Sequence, residues 1–272
     1  MHERLSIHQM CFADMPVGDY IRHCHELGAQ RVGFISPALQ VADNVTTAIE
    51  VIADTGLTVQ SIAHVFRSGH LTPDKQIWQQ DRDKLFQLID IAAELRADSI
   101  YLLTGGHGDL EWSSAADCFS SAIAPCAERA KSCGIKLAIE NASSLYADLH
   151  IAHSLADTVT LAEMANIGVC VELFFCWAEA NLPVLLQRAM PRCHLVQLSD
   201  YCYGDRSLPA RAVPGDGVIP IKALIAEILK AGYSGGFDIE LLGPRIIDEG
   251  ASQAVARSAK HLTCLLNDLL IR

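Results

Sequence analysis

The stretch Cys133-Gly134-Ile135-Lys136-Leu137-Ala138-Ile139-Glu140-Asn141 carries the pattern on which the whole chain is built. An amphipathic run, Ala115–Ser132, leads into it. Gly134 then closes the helix, because glycine tolerates the left-handed conformation that commonly ends one. A short apolar run follows, of strand length, and it stops at a carboxylate. The same junction recurs at Leu27-Gly28-Ala29, Thr55-Gly56-Leu57 and Ala231-Gly232-Tyr233.

Read outward from there, short apolar runs alternate with longer amphipathic ones. Strands are predicted at Leu5–Gln9, Arg31–Ile35, Thr58–Val65, Ser99–Leu103, Lys136–Glu140, Gly168–Leu173, His194–Ser199 and Phe237–Leu241. Helices are predicted at Val17–Leu27, Asn44–Thr55, Lys75–Leu95, Ala115–Ser132, Ala156–Met164, Leu182–Ala189, Ile221–Ala231 and Ser252–Leu270. In Lys84–Leu95, the residues Leu85, Leu88, Ile89, Ala92 and Leu95 share one face. Eight such repeats imply a parallel sheet, since parallel strands need crossover helices. Eight units close naturally into a single (β/α)8 TIM barrel, and the 272 residues suit one such domain over 1–272. A doubly wound open sheet is the alternative. The first strand–helix turn has no G-x-G-x-x-G, so nothing supports a Rossmann nucleotide site.

Composition narrows the function. The chain is 50% hydrophobic with a formal net charge of −11. That charge repels polyanions, and no Lys/Arg cluster is visible, so no nucleic-acid partner is expected. No apolar run reaches the 18 or so residues of a membrane span, and the start Met1-His2-Glu3-Arg4 lacks a signal-peptide core. The ten cysteines form no C-x-x-C pair and sit in apolar stretches. They read as reduced and mostly buried, which suits a cytoplasmic protein.

The chemistry of a barrel lies at the C-terminal ends of its strands. Glu140, Glu172 and Glu240 lie at such ends, on the fifth, sixth and eighth. A carboxylate beside buried apolar residues costs several kcal/mol unless it is paired or bound to a cation. Three of them make a shared cation the simplest account. On strand seven, Gln197 and His194 point to opposite faces. Gln197 is nearer the functional end, and His194, at the strand start, reads as structural.

These residues resemble those of the xylose-isomerase-like TIM-barrel superfamily, over essentially the whole chain and most strongly from Lys136 to Leu241. Glu140-Asn141 matches its metal glutamate, and Gly168 to Glu172 matches its Gly-x-x-x-Asp strand with Glu for Asp. Gln197 to Asp200 matches its His-x-x-Asp segment with Gln for the metal-binding His. Arg211, Pro214, Gly215 and Gly217 match its Arg before Pro-Gly-x-Gly, and Glu240 matches its last-strand glutamate. Endonuclease IV is similar in scaffold but holds three zinc ions with many histidines. Phe175, Ala210 and Ala212 stand where or near where it has metal ligands, so a three-metal site is not expected.

The resemblance implies a ligand set of Glu140, Glu172, Gln197 and Glu240 for one divalent ion. All donors are oxygen, which favours Mn²⁺ or Mg²⁺ over Zn²⁺. By the same resemblance Glu140 and Glu240 also move the proton in a metal-dependent isomerase or epimerase of a sugar, sugar phosphate or polyol ketone. Substrate contacts are expected from His64, His107, Arg211, Arg245 and Trp177, the last with Phe174 and Phe175 in an aromatic wall. A dehydratase using the same proton removal is the alternative. A non-catalytic binding protein with a degraded site is the second. Barrels of this kind often pair, which leaves a homodimer open.

Overall fold

Strand pairing runs in chain order and returns to its start. The computed structural model describes residues 1–270, and its eight strands close as β1-β2-β3-β4-β5-β6-β7-β8. They are β1 Leu5–His8, β2 Arg31–Ile35, β3 Thr58–Val65, β4 Ser99–Leu103, β5 Lys136–Glu140, β6 Gly168–Glu172, β7 Cys193–Leu198 and β8 Gly236–Ile239. Every pair is parallel, and β1 seals the barrel on β8 through Leu5↔Phe237 and Ile7↔Ile239. The open-sheet alternative is thereby excluded.

Eight long helices form the outer ring. They are α1 Val17–Glu26, α2 Ala42–Thr55, α3 Lys75–Glu94, α4 Trp112–Ser132, α5 Leu155–Ala165, α6 Leu182–Ala189, α7 Ile221–Lys230 and α8 Ala251–Leu270. Gly56 ends α2 at φ 72°, in the left-handed region expected of it. The expected inner face of α3 is buried at Leu85, Leu88, Ile89 and Ala92, and Leu95 just beyond it is buried too. Truncating one such leucine to alanine typically costs about 2–5 kcal/mol.

Four strands stop one or two residues earlier than their apolar patterns suggest: β7 ends at Leu198 and β8 at Ile239, and for β1 and β6 side chains are the reason. Gln9 leaves β1 for a 3₁₀ turn, Gln9–Phe12, because His8 Nδ1 accepts the Met10 N–H at 3.2 Å. Leu173 leaves β6 for the short helix Leu173–Cys176, because Glu172 Oε1 caps it through the Phe174 N–H at 2.9 Å. Local side-chain bonds of this kind compete with ladder pairing.

The core has two parts. Outward-facing strand residues such as Ile7, Val32, Ile62 and Ile139 join the helices in the main cluster. Inside the barrel a much smaller apolar cluster, Tyr101, Ala138, Cys170 and Leu195 with Ala63 against it, fills the middle. The rest of the interior is polar. Ser6, His8, Ser61, Ser99, Glu140, Glu172, Gln197, Asp238 and Glu240 are all buried. Among the described residues, no helix is long and apolar enough to cross a membrane. None of the ten cysteines is paired; five are buried, and Cys264 is exposed.

Candidate active site

Strand residues alternate between faces, so Glu140, Glu172 and Gln197 project inward from neighbouring strands, and Glu240 does so one residue past the end of β8. The Glu240 N–H still bonds Leu198 O at 3.4 Å, which holds it to β7. Asn141 clamps the other two carboxylates in register. Its Oδ1 accepts the Glu172 N–H and its Nδ2 donates to Glu172 O, both at 2.9 Å. The result is a cluster in which Glu140, Glu172 and Glu240 each offer an oxygen within 4.8 Å of the others.

Arg211 is the cation of this cluster. It comes from the long loop between β7 and α7 and is buried. Its Nη1 donates to Glu172 Oε2 and, at 3.0 Å, to Ser199 Oγ, while Nη2 lies 3.3 Å from Glu240 Oε2. Its guanidinium also sits 5.1 Å from the Phe174 ring and 5.4 Å from that of Phe175, within cation–π range. Burial works against its charge, but Glu172 and Glu240 outweigh that and push its pKa up.

Three carboxylates against one guanidinium leave a surplus of negative charge. Burial raises the Glu172 carboxyl to about 7 even with Arg211 pulling it down. Glu140 is raised well above the usual range by burial and by the charges of Glu240 and Glu172. These features fit a divalent ion. The donors are hard oxygens at mutual distances compatible with one coordination sphere, and the charge they lack is positive. Glu140, Glu172 and Glu240 would hold it.

Gln197 occupies its expected place between them, with a different face forward. Its Nε2 donates to Glu240 Oε2 at 2.7 Å and to the Tyr101 hydroxyl at 3.2 Å, and its Oε1 accepts from Cys170 Sγ at 3.2 Å. Serving as a ligand requires turning the amide over, which gives up the bonds to Glu240 and Tyr101.

Above the cluster lies a cavity of about 600 Å³. Its floor is His8, Tyr101, Glu140, Arg211 and Glu240, and its walls include Met10, Phe66, Tyr146, Phe174 and Phe175. His64 lines it as well. Three other expected contacts stand apart from it. His107 is exposed on the loop after β4. Trp177 is half-buried and packs on Tyr201, 6.4 Å between ring centres. Arg245 is tied to Asp205 by bonds of 2.6 and 3.1 Å.

Sequence reasoning missed several polar residues of this floor. His8 Nε2 lies 3.0 Å from the Tyr101 hydroxyl, and His8 Nδ1 lies 3.8 Å from Glu240 Oε1. Beneath them Ser6 Oγ donates to Asp238, whose carboxyl is raised to about 6, chiefly by burial. The available signal was parity: Ser6 and His8, Ser99 and Tyr101, and Asp238 and Glu240 are polar pairs two residues apart on three strands.

The match to a known family model now settles the lineage. The model described as the xylose isomerase-like TIM barrel matches residues 21–263. The chain belongs to that family. Among curated proteins, none matches this sequence. Solved structures with the same fold include a protein designated SMc04130 from Sinorhizobium meliloti 1021, 22% identical over 95% of this chain and 96% of that one, with TM-score 0.84. The IOLI protein with a bound zinc atom is 12% identical over 98% and 99%, with TM-score 0.82. A D-psicose 3-epimerase with D-tagatose, from Clostridium cellulolyticum H10, is 15% identical over 98% and 98%, with TM-score 0.78. At these identities the likeness is one of fold.

Proposed function

We propose that this family member is a divalent-metal-dependent isomerase or epimerase of a small hydroxy ketone of the sugar or polyol kind. The observation that carries the reading is the buried triad of Glu140, Glu172 and Glu240, of which Glu140 and Glu240 face a ligand-sized cavity, with one guanidinium to balance it. A divalent ion held by Glu140, Glu172 and Glu240 would polarise the carbonyl and its neighbouring hydroxyl, and so acidify the C–H of the hydroxyl-bearing carbon. Glu140, at the end of β5, and Glu240, just past the end of β8, take and return that proton from the two sides. Arg211 holds a substrate oxygen while keeping its bond to Glu172. Glu172 and Gln197 fix the geometry. The epimerase and the zinc-binding neighbour on the same fold support this reading by analogy. The all-oxygen set favours Mn²⁺ or Mg²⁺.

A dehydratase is the second reading, favoured by one feature. Expelling a β-hydroxyl needs a proton donor, and the Tyr101 hydroxyl lines the cavity. Loss of water changes product mass, and isomerisation does not.

Metal content and affinity of the purified protein, before and after Glu140→Gln, test the proposal, together with proton exchange of ketoses in D₂O followed by NMR. One tight divalent ion is expected in the parent and its loss in the variant. Glu240→Gln should slow exchange by about 10²–10⁴-fold with an unchanged melting curve. A parent that binds none of Mn²⁺, Mg²⁺ and Zn²⁺ removes the mechanism and leaves a binding protein.

A further inference from the structure

The mouth cavity does not end at the barrel rim. A second space of about 640 Å³ runs between α2 and α3 on the outside of the barrel. Ser36, Gln40, His64 and Lys84 line both spaces, so the two meet at these residues. Each is the size of a whole small-molecule pocket. Past the junction the groove is walled by Leu39, Val45, Ile49, Leu88 and Ile91. Ile49 is 39% exposed, although an isoleucine beside a covering helix would ordinarily be buried.

The junction is polar and incompletely satisfied. His64 is 92% buried; its Nδ1 is 2.8 Å from Ser36 Oγ, while its Nε2 has no hydrogen-bond partner. Such an orphan is uncommon in a buried side chain and calls for a partner from outside the protein. The exposed Lys84 stands beside it, with no salt bridge among the described residues. The acid of the groove, Glu94, lies ten residues further along α3, about 15 Å away at 1.5 Å per residue. Donors therefore gather at the junction, and the walls beyond it are mainly apolar, with Thr46, Gln87 and Glu94 as the polar residues along them.

We infer that the ligand has two parts: a polyhydroxylated head on the carboxylate floor and an apolar arm, of aryl or short alkyl size, laid in the α2–α3 groove. The atoms linking them, such as a glycosidic or ester oxygen, accept from the junction formed by His64 and Lys84. This rests on the proposed function only for the place of the head. A free sugar would leave the groove, the orphan nitrogen and Ile49 without a role.

Titration calorimetry with methyl, phenyl and 2-naphthyl β-D-glucoside reads the arm directly and needs no turnover. The 2-naphthyl glucoside is expected to bind at least tenfold more tightly than the methyl glucoside. Thr46→Trp and Ile49→Trp fill the groove from exposed positions outside the mouth cavity. Each should cut that advantage below threefold and leave methyl glucoside affinity unchanged, with a parental melting temperature. An advantage under tenfold in the parent overturns the inference. One that survives both substitutions does too, and places the arm against Phe174 and Phe175 instead. If the arm preference holds while no ketose exchanges its proton, the groove stands and only the proposed reaction falls.

Discussion

Gln197 shows how much hangs on which atom of one side chain faces the site. With Nε2 forward it is a donor that steadies Glu240; with Oε1 forward it is a neutral ligand. Either way it offers no nitrogen lone pair, unlike the histidine that the family pattern places there. Restoring one by Gln197→His should raise Zn²⁺ affinity relative to Mn²⁺ by at least tenfold, since imidazole suits zinc better than carbonyl oxygen does. Competition titrations with the two metals measure it; an unchanged ratio would show that Gln197 stays outside the coordination sphere. Buried histidines elsewhere carry a pH dependence. Burial, then Lys84, lowers His64 from 6.5 to about 4, and burial lowers His150 to about 3. A depressed folded pKa means the unfolded chain takes up protons first. The stability these two histidines carry is thus complete above pH 6.5 and is lost as pH falls towards 4, with His64 contributing on the order of 2–3 kcal/mol. Thermal melts from pH 7 to 4.5 should fall more shallowly for His64→Gln than for the parent, and a parallel slope would refute the assignment.

At the scale of elements, the loop that delivers Arg211 is organised by a residue on the barrel rim. Asp200, just past β7, is 1% exposed, and its carboxylate accepts four backbone N–H groups: Tyr201 at 2.8 Å, Gly215 and Ile219 at 2.9 Å, and Gly217 at 3.0 Å. Gly217 must be glycine, since a Cβ there would collide with Asp200 itself and with Tyr201 O. Asp216, between these glycines, faces outward to Arg257 instead. Asp200→Ala strands four donors at once and should cost about 3–5 kcal/mol. Activity should fall with it through displacement of Arg211, while Asp216→Ala should change both far less. Chemical denaturation of the two variants makes the comparison.

At the scale of the molecule, closure is the organising fact. The polar interior holds Ser6, His8, Asp238 and Glu240 on β1 and at the β8 end, the two elements that seal the barrel. Removing residues 1–9 would therefore take away a strand and two site residues together, leaving the edges of β2 and β8 unpaired. Loss of the cooperative melt and a shift to aggregates in size-exclusion chromatography are expected. A soluble, monodisperse product would mean that closure matters less than supposed.

The sequence alone determined the barrel, because eight periodic repeats with glycine-closed helices leave few other ways to bury their apolar faces. It determined the carboxylate triad too: a glutamate at the end of an apolar strand is conspicuous in one dimension. His107, Trp177 and Arg245 also lay near strand ends, yet only folding decides which loop residues turn towards the mouth. Tertiary structure alone decided that His8 and Tyr101 join the floor, that Gln197 presents its nitrogen, that Arg211 bridges two carboxylates, and that a groove opens between α2 and α3. Each depends on contacts between strands or helices far apart in the chain, and local periodicity carries no record of such distances.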